Sequence, residues 1–135
     1  MDRTTDRSTA KPDLAAIKKA SLTPAPQVVA NVRDILGPRL TAVISGVKDA
    51  RTVESWTHAN AKIPDLANRR LQIAYAATLT LNAHYERDAV ASWFTWLADV
   101  LDDRSPAAIL ASTTENDVES KGREILRAAR SHLVE

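Results

Sequence analysis

The chain has 135 residues, 44% hydrophobic and 26% charged, with a formal net charge of +1, enough for one domain with a real core and too few for two sizeable ones. It contains no cysteine, which excludes a disulfide frame, a thiolate zinc site and a cysteine nucleophile. At this net charge any affinity for nucleic acid has to come from uneven placement of charge, and no apolar run reaches the length of a membrane span or a secretory signal core.

Residues 1–23, MDRTTDRSTAKPDLAAIKKASLT, are small and polar, with Pro12 interrupting them. Such a segment buries too little surface to offset its ordering entropy. A flexible arm is expected, with at most a turn or two of amphipathic helix around Leu14, Ala15, Ile17, Lys18 and Lys19; a basic arm touching DNA or a partner is the functional alternative. Pro24 and Pro26 then open a helix over 27–36, closed by Gly37 and Pro38. Its stripe of Val28, Val29, Val32, Ile35 and Leu36, opposite Asn31, Arg33 and Asp34, predicts a packing helix.

Residues 40–70 read as a helix-turn-helix. Leu40, Val43 and Ile44 fall on one face at i, i+3, i+4 spacing. Gly46 supplies the turn, because a residue without Cβ takes the left-handed conformation cheaply. Asp49 is the expected cap of a second helix over 51–59, anchored by Val53, Trp56 and Ala50. That leaves Arg51, Thr52, Ser55 and His58 on the exposed side, flanked by Lys48 and Lys62, with Arg39, Arg69 and Arg70 in reach of a phosphate backbone. Residues 39–70 carry six Lys or Arg against three Asp or Glu, whereas 86–135 carry six against ten. On the residues alone, a solvated helical face explains this as well as a DNA-reading one.

A Pro64-started helix is expected over 65–85. Leu66, Ile73, Ala77 and Leu81 form one stripe, widened by Leu71, Tyr75, Leu79 and Ala83, which makes it the spine of the chain. A shorter helix over 86–99 carries Trp93, Phe94 and Trp96. These cannot all face one way on a helix, so one of them is expected to anchor another element or another chain. Asp102, Asp103 and Arg104 make a polar turn, and Ser105 with Pro106 caps a helix over 107–111. Two adjacent carboxylates without further ligands are not a metal site. The last helix runs from about 115 to 133 with Val118, Gly122, Ile125, Leu126, Ala129 and Leu133 inward, acidic residues early and basic residues late, as the helix dipole favours.

Two stretches resemble a known family. Residues 49–64, DARTVESWTHANAKIP, resemble the recognition helix of the Xre family, with Val53, Trp56 and Pro64 as the core of the pattern. Residues 93–110, WFTWLADVLDDRSPAAIL, are similar to the toxin-binding segment of Xre/MbcA/ParS-like antitoxins, and REILRAARSHLVE resembles its close. The matches together cover about residues 28–135; the arm has no counterpart, and the turn before Ser105 is more acidic than the pattern.

The resemblance implies an all-α chain in which a flexible arm (1–23) precedes an Xre-like helix-turn-helix domain (24–85) and a C-terminal helical toxin-binding segment (86–135). It implies a cytoplasmic type II antitoxin that neutralises an RES-domain, NAD-degrading toxin by occluding its nucleotide pocket and represses its own promoter. The expected DNA contacts are Lys48, Arg51, Thr52, Ser55, His58, Lys62 and Arg69. The expected toxin contacts are Trp93, Trp96, Arg104, Arg127, Arg130, His132 and Glu135. Partners would be the toxin and double-stranded promoter DNA, in a homodimer or a larger assembly with toxin. A stand-alone or prophage helix-turn-helix repressor without a toxin is the alternative, and an adaptor that no longer binds DNA is a third class. An enzyme is not expected: His58, His84 and His132 stand on different elements with no catalytic motif around them, and no cofactor or metal motif is present.

Overall fold

The computed structural model describes residues 13–97 and 101–133, which form helices joined by turns and loops, with no β-strand among them. The helices are α1 (Leu14–Leu22), α2 (Ala25–Leu36), α3 (Pro38–Ser45), α4 (Ala50–Ser55), α5 (Asp65–Asn82), α6 (Arg87–Phe94), α7 (Pro106–Ser112) and α8 (Val118–Leu133).

The spine is α5, packed against α1, α2, α3, α6 and α8. Alanines at 67, 74, 76 and 77 are buried on it, and their short side chains let neighbouring helices approach from several sides. Thr78 and Thr80 are buried there too, each hydroxyl donating back to its own helix, at 2.7 Å to the Tyr75 carbonyl and 2.9 Å to that of Ala76. Asn31 on α2 reaches across to the Tyr75 hydroxyl at 3.0 Å. α8 crosses it closely at Gly122, where a Cβ would lie 2.5 Å from Ile73 Cδ1. One continuous core runs from Ala20 to Ala129.

Several expectations change. α5 stops at Asn82 rather than near Tyr85, so Ala83 is exposed. α1 is a full nine-residue helix, with the Asp13 carboxylate accepting from the Ala15 and Ala16 amides. It is seated on α5 through Ala16 and Ala20. Alanine loses no rotamer freedom on burial, so this composition docks where its polarity suggested a free arm. Residues 1–12 of the arm lie outside the described residues.

In α3 the buried residues are Thr41, Ala42, Ile44 and Ser45, while Val43 is 51% exposed. Thr41 and Ser45 tolerate burial because their hydroxyls donate to the carbonyls of Gly37 at 2.7 Å and Ala42 at 3.0 Å. The inner face is therefore the Thr41–Ile44–Ser45 side. α2 shows the expected inner face of Val28, Val29, Val32 and Leu36, and the Ser105 cap donating partner is in place, Ala108 N–H reaching Ser105 Oγ at 3.1 Å.

Before α8, Thr114 and Asp117 cap each other's turn: the Thr114 amide donates to Asp117 Oδ1 at 2.7 Å, and Thr114 Oγ1 accepts from the Asn116 amide at 3.2 Å. This reciprocal arrangement satisfies backbone donors that the helix start would otherwise leave open.

Candidate functional site

The α3–α4 connection is built on Gly46, which adopts φ 88°, ψ 17°. Its amide donates to the carbonyls of Ala42 and Val43, and the Val47 amide donates to Ala42 at 3.0 Å, so the last turn of α3 is closed by a glycine C-cap. Glycine is needed here for a second reason: a Cβ would stand 2.3 Å from Nη1 of Arg70.

Asp49 caps α4 by accepting from the Arg51 amide at 2.8 Å. That bond, with the charge and side chain of Arg51 adding to it, holds the Asp49 carboxyl below its ordinary value. A carboxyl shifted in this direction supports folding above its unfolded pKa and loses that support as pH falls through the lowered folded value. The Arg51 amide resonance is expected to titrate with an inflection below about 3.9, the ordinary Asp value. In Asp49→Asn this inflection should vanish; an inflection at the ordinary value would mean the cap is absent in solution.

Val53, with no exposure, and Trp56, at 5%, fix α4 to the core. Arg33 on α2 also pairs with Glu54 on its outer side. The helix is shorter than the sequence suggests, ending at Ser55 rather than near Ala59. The Ser55 hydroxyl takes the Thr52 carbonyl at 2.6 Å and the Thr57 hydroxyl that of Glu54 at 2.7 Å. The Trp56 and Thr57 amides reach back only three residues, to Val53 and Glu54. A tightened last turn with competing side-chain bonds stops the helix.

Lys48, Arg51, Ser55, His58 and Lys62 are exposed and Thr52 is half-buried, all within one stretch of fifteen positions about α4. His58 stands in the turn after the helix, not on it. Arg69 is not grouped with them: it pairs with Asp65 at 3.2 Å and lines a groove between α1 and α8. Arg70, expected near a phosphate backbone, is 8% exposed. Its Nε donates to Thr113 Oγ1 at 2.9 Å, its Nη1 to the Ser45 carbonyl at 3.0 Å and its Nη2 to the Thr113 carbonyl. It ties α5 to the ends of α3 and α7 and has no surface role. Desolvation pushes its pKa down, partly offset by Asp117.

The expected toxin contacts are scattered over several faces. Trp93 is 4% exposed and packs edge-on against Phe94, ring centroids 5.1 Å apart, while Trp96 is 54% exposed, just past the end of α6 at Phe94. Arg104 is exposed and donates to Ser112 Oγ at 3.0 Å. Arg127 and Arg130 are exposed on α8, and Glu135 lies outside the described residues. His132 is half-buried, its ring 5.2 Å from Tyr85 and 5.2 Å from Trp96.

His132, Trp93 and Trp96 do come together, around a cleft of about 310 Å³ whose remaining lining is Leu81, Tyr85, Ala89, Val90 and Ser92. Tyr85 and Ser92 went unassigned in the sequence, which gave no signal for them because the cleft joins α5, α6 and the end of α8. Among the described residues no group of three or more His, Asp or Glu is placed to hold a metal ion, and no helix is long and apolar enough to cross a membrane. Compared with known proteins, the chain matches no family model, no curated protein and no solved structure.

Proposed function

We propose that the chain is a cytoplasmic type II antitoxin, in which α3, the Gly46 turn and α4 act as an Xre-like helix-turn-helix on promoter DNA and the C-terminal part captures an RES-domain, NAD-degrading toxin. The observation that carries this reading is the outward display of Arg51 and Ser55 on α4 and of His58 in the turn that follows it, beside Lys48 and Lys62, on a segment locked inward by Val53 and Trp56. Polar side chains and cations held on a short rigid element can contact phosphates and base edges. The exposed Trp96 beside α8 supports the second half, since tryptophan is favoured at the centre of protein interfaces. No chemistry is required of this chain; it acts by covering the toxin's pocket.

Lys48→Ala with Arg51→Ala is expected to weaken binding to the DNA upstream of the chain's own gene and to flatten its salt dependence by about two phosphate contacts. Gel shifts across a salt series check this; unchanged affinity and slope would remove α4 from the DNA face. Toxin capture is read by co-purification with the products of neighbouring genes and by growth rescue. Arg127→Glu with Arg130→Glu is the cleaner variant here, because a truncation from Arg127 would also delete the buried Ala128 and Ala129. DNA binding with no captured toxin would make the chain a stand-alone repressor.

A further inference from the structure

The cleft between α5, α6 and α8 combines an apolar floor with aromatic rings, and two carboxylates stand at the start of α6, the helix that supplies much of its lining. Leu81 and Val90, each 1% exposed, form the floor, with the exposed Ala89 beside them in the lining. The rings of Tyr85 and Trp96 each lie 5.2 Å, centroid to centroid, from that of His132. Glu86, exposed at the start of α6, stands one helical turn before the lining residues Ala89 and Val90, and the exposed Asp88 one turn before Ser92. Cations close in sequence are turned away: Arg87 donates to the Asp34 carbonyl at 3.1 Å. Arg127 and Arg130 lie roughly 140° and 200° around α8 from His132 at about 100° per residue.

We propose that this cleft receives a lysine or arginine side chain of the partner protein. The aliphatic stem lies on Leu81, Val90 and Ala89, the cation meets the rings of Trp96 and Tyr85, and Glu86 and Asp88 draw it in. An aliphatic side chain would fill the floor and leave both the rings and the carboxylates unused. The assignment rests on the antitoxin reading only for the identity of the protein that supplies the cation.

The test uses acetylated, amidated tripeptides, Gly-Arg-Gly, Gly-Lys-Gly and Gly-norleucine-Gly, titrated into the full chain at pH 8 and low salt. The indole N–H resonances of Trp56, Trp93 and Trp96 are followed by NMR. The basic peptides are expected to shift Trp96 and Trp93 and leave Trp56 in place, with norleucine shifting none. Trp96→Ala should weaken the arginine peptide about five- to tenfold. Glu86→Gln with Asp88→Asn should weaken it about threefold, less at high salt. These three side chains are exposed, so the variants keep the fold. Norleucine binding as tightly as arginine, or no peptide shifting Trp96, overturns the proposal. The probes contain neither toxin nor DNA, so failure here leaves the antitoxin reading standing. Toxin capture unaffected by Trp96→Ala would likewise overturn the cleft assignment alone.

Discussion

Arg70→Met is expected to lower the unfolding free energy by about 3–5 kcal/mol, read as a fall in the urea midpoint with an unchanged slope. The guanidinium donates to the Ser45 carbonyl and to both the carbonyl and hydroxyl of Thr113, residues that are 3% and 4% exposed. Methionine restores the volume and no donor, so two buried carbonyls lose their partner, and hydrogen bonds to charged groups are worth about 1.5–3 kcal/mol each. Burial disfavours the Arg70 cation, which returns part of that loss and keeps the total below the sum of the bonds. Arg70→Lys keeps the charge but cannot span the fork, and an intermediate midpoint is expected. A midpoint for Arg70→Met equal to that of the parent would show that the clamp does not hold α3, α5 and α7 together.

Phe94→Ala should cost about 3–5 kcal/mol, the range for removing a buried aromatic ring. Phe94 has no exposure and meets Trp93 edge-on at 5.1 Å and 90°, on a helix that packs against α2, α5 and α7. Its loss opens a cavity behind Trp93, so the near-ultraviolet circular dichroism of the indoles should fall together with stability. Phe94→Leu should recover most of both. A loss under about 1 kcal/mol for Phe94→Ala would mean that α6 is not seated as described.

The two changes test the body that holds the two candidate surfaces apart. Arg70 stands directly beneath the Gly46 turn, where a Cβ introduced at position 46 would collide with it, so the clamp also fixes the entry into α4. Phe94 supports Trp93, which forms part of the lining of the ring-walled cleft. Neither side chain is itself placed to touch DNA or a partner.

The all-helical class and the starts of most helices after α1 were legible in the residues, whereas α4, α5 and α6 stop at Ser55, Asn82 and Phe94, short of the expected 59, 85 and 99. Gly46, Asp49, Pro64, Ser105 and Pro106 each act on backbone groups within about four positions, and that neighbourhood is printed in the sequence. The inner face of α2 and the anchoring of α4 by Val53 and Trp56 follow from apolar spacing on a single helix. The early end of α4 was harder, because it depends on which carbonyls the Ser55 and Thr57 hydroxyls take.

Left to itself, the chain's order of residues determined where helices begin and which stripes are apolar, because both are decided by near neighbours. Only the tertiary structure decided that Arg70 lies inside, that α1 docks through two alanines, and that Tyr85, Trp96 and His132 share one wall. Those outcomes depend on groups far apart along the chain, such as Arg70 with Thr113 or Tyr85 with His132, and burial is set by what the whole fold brings alongside a residue.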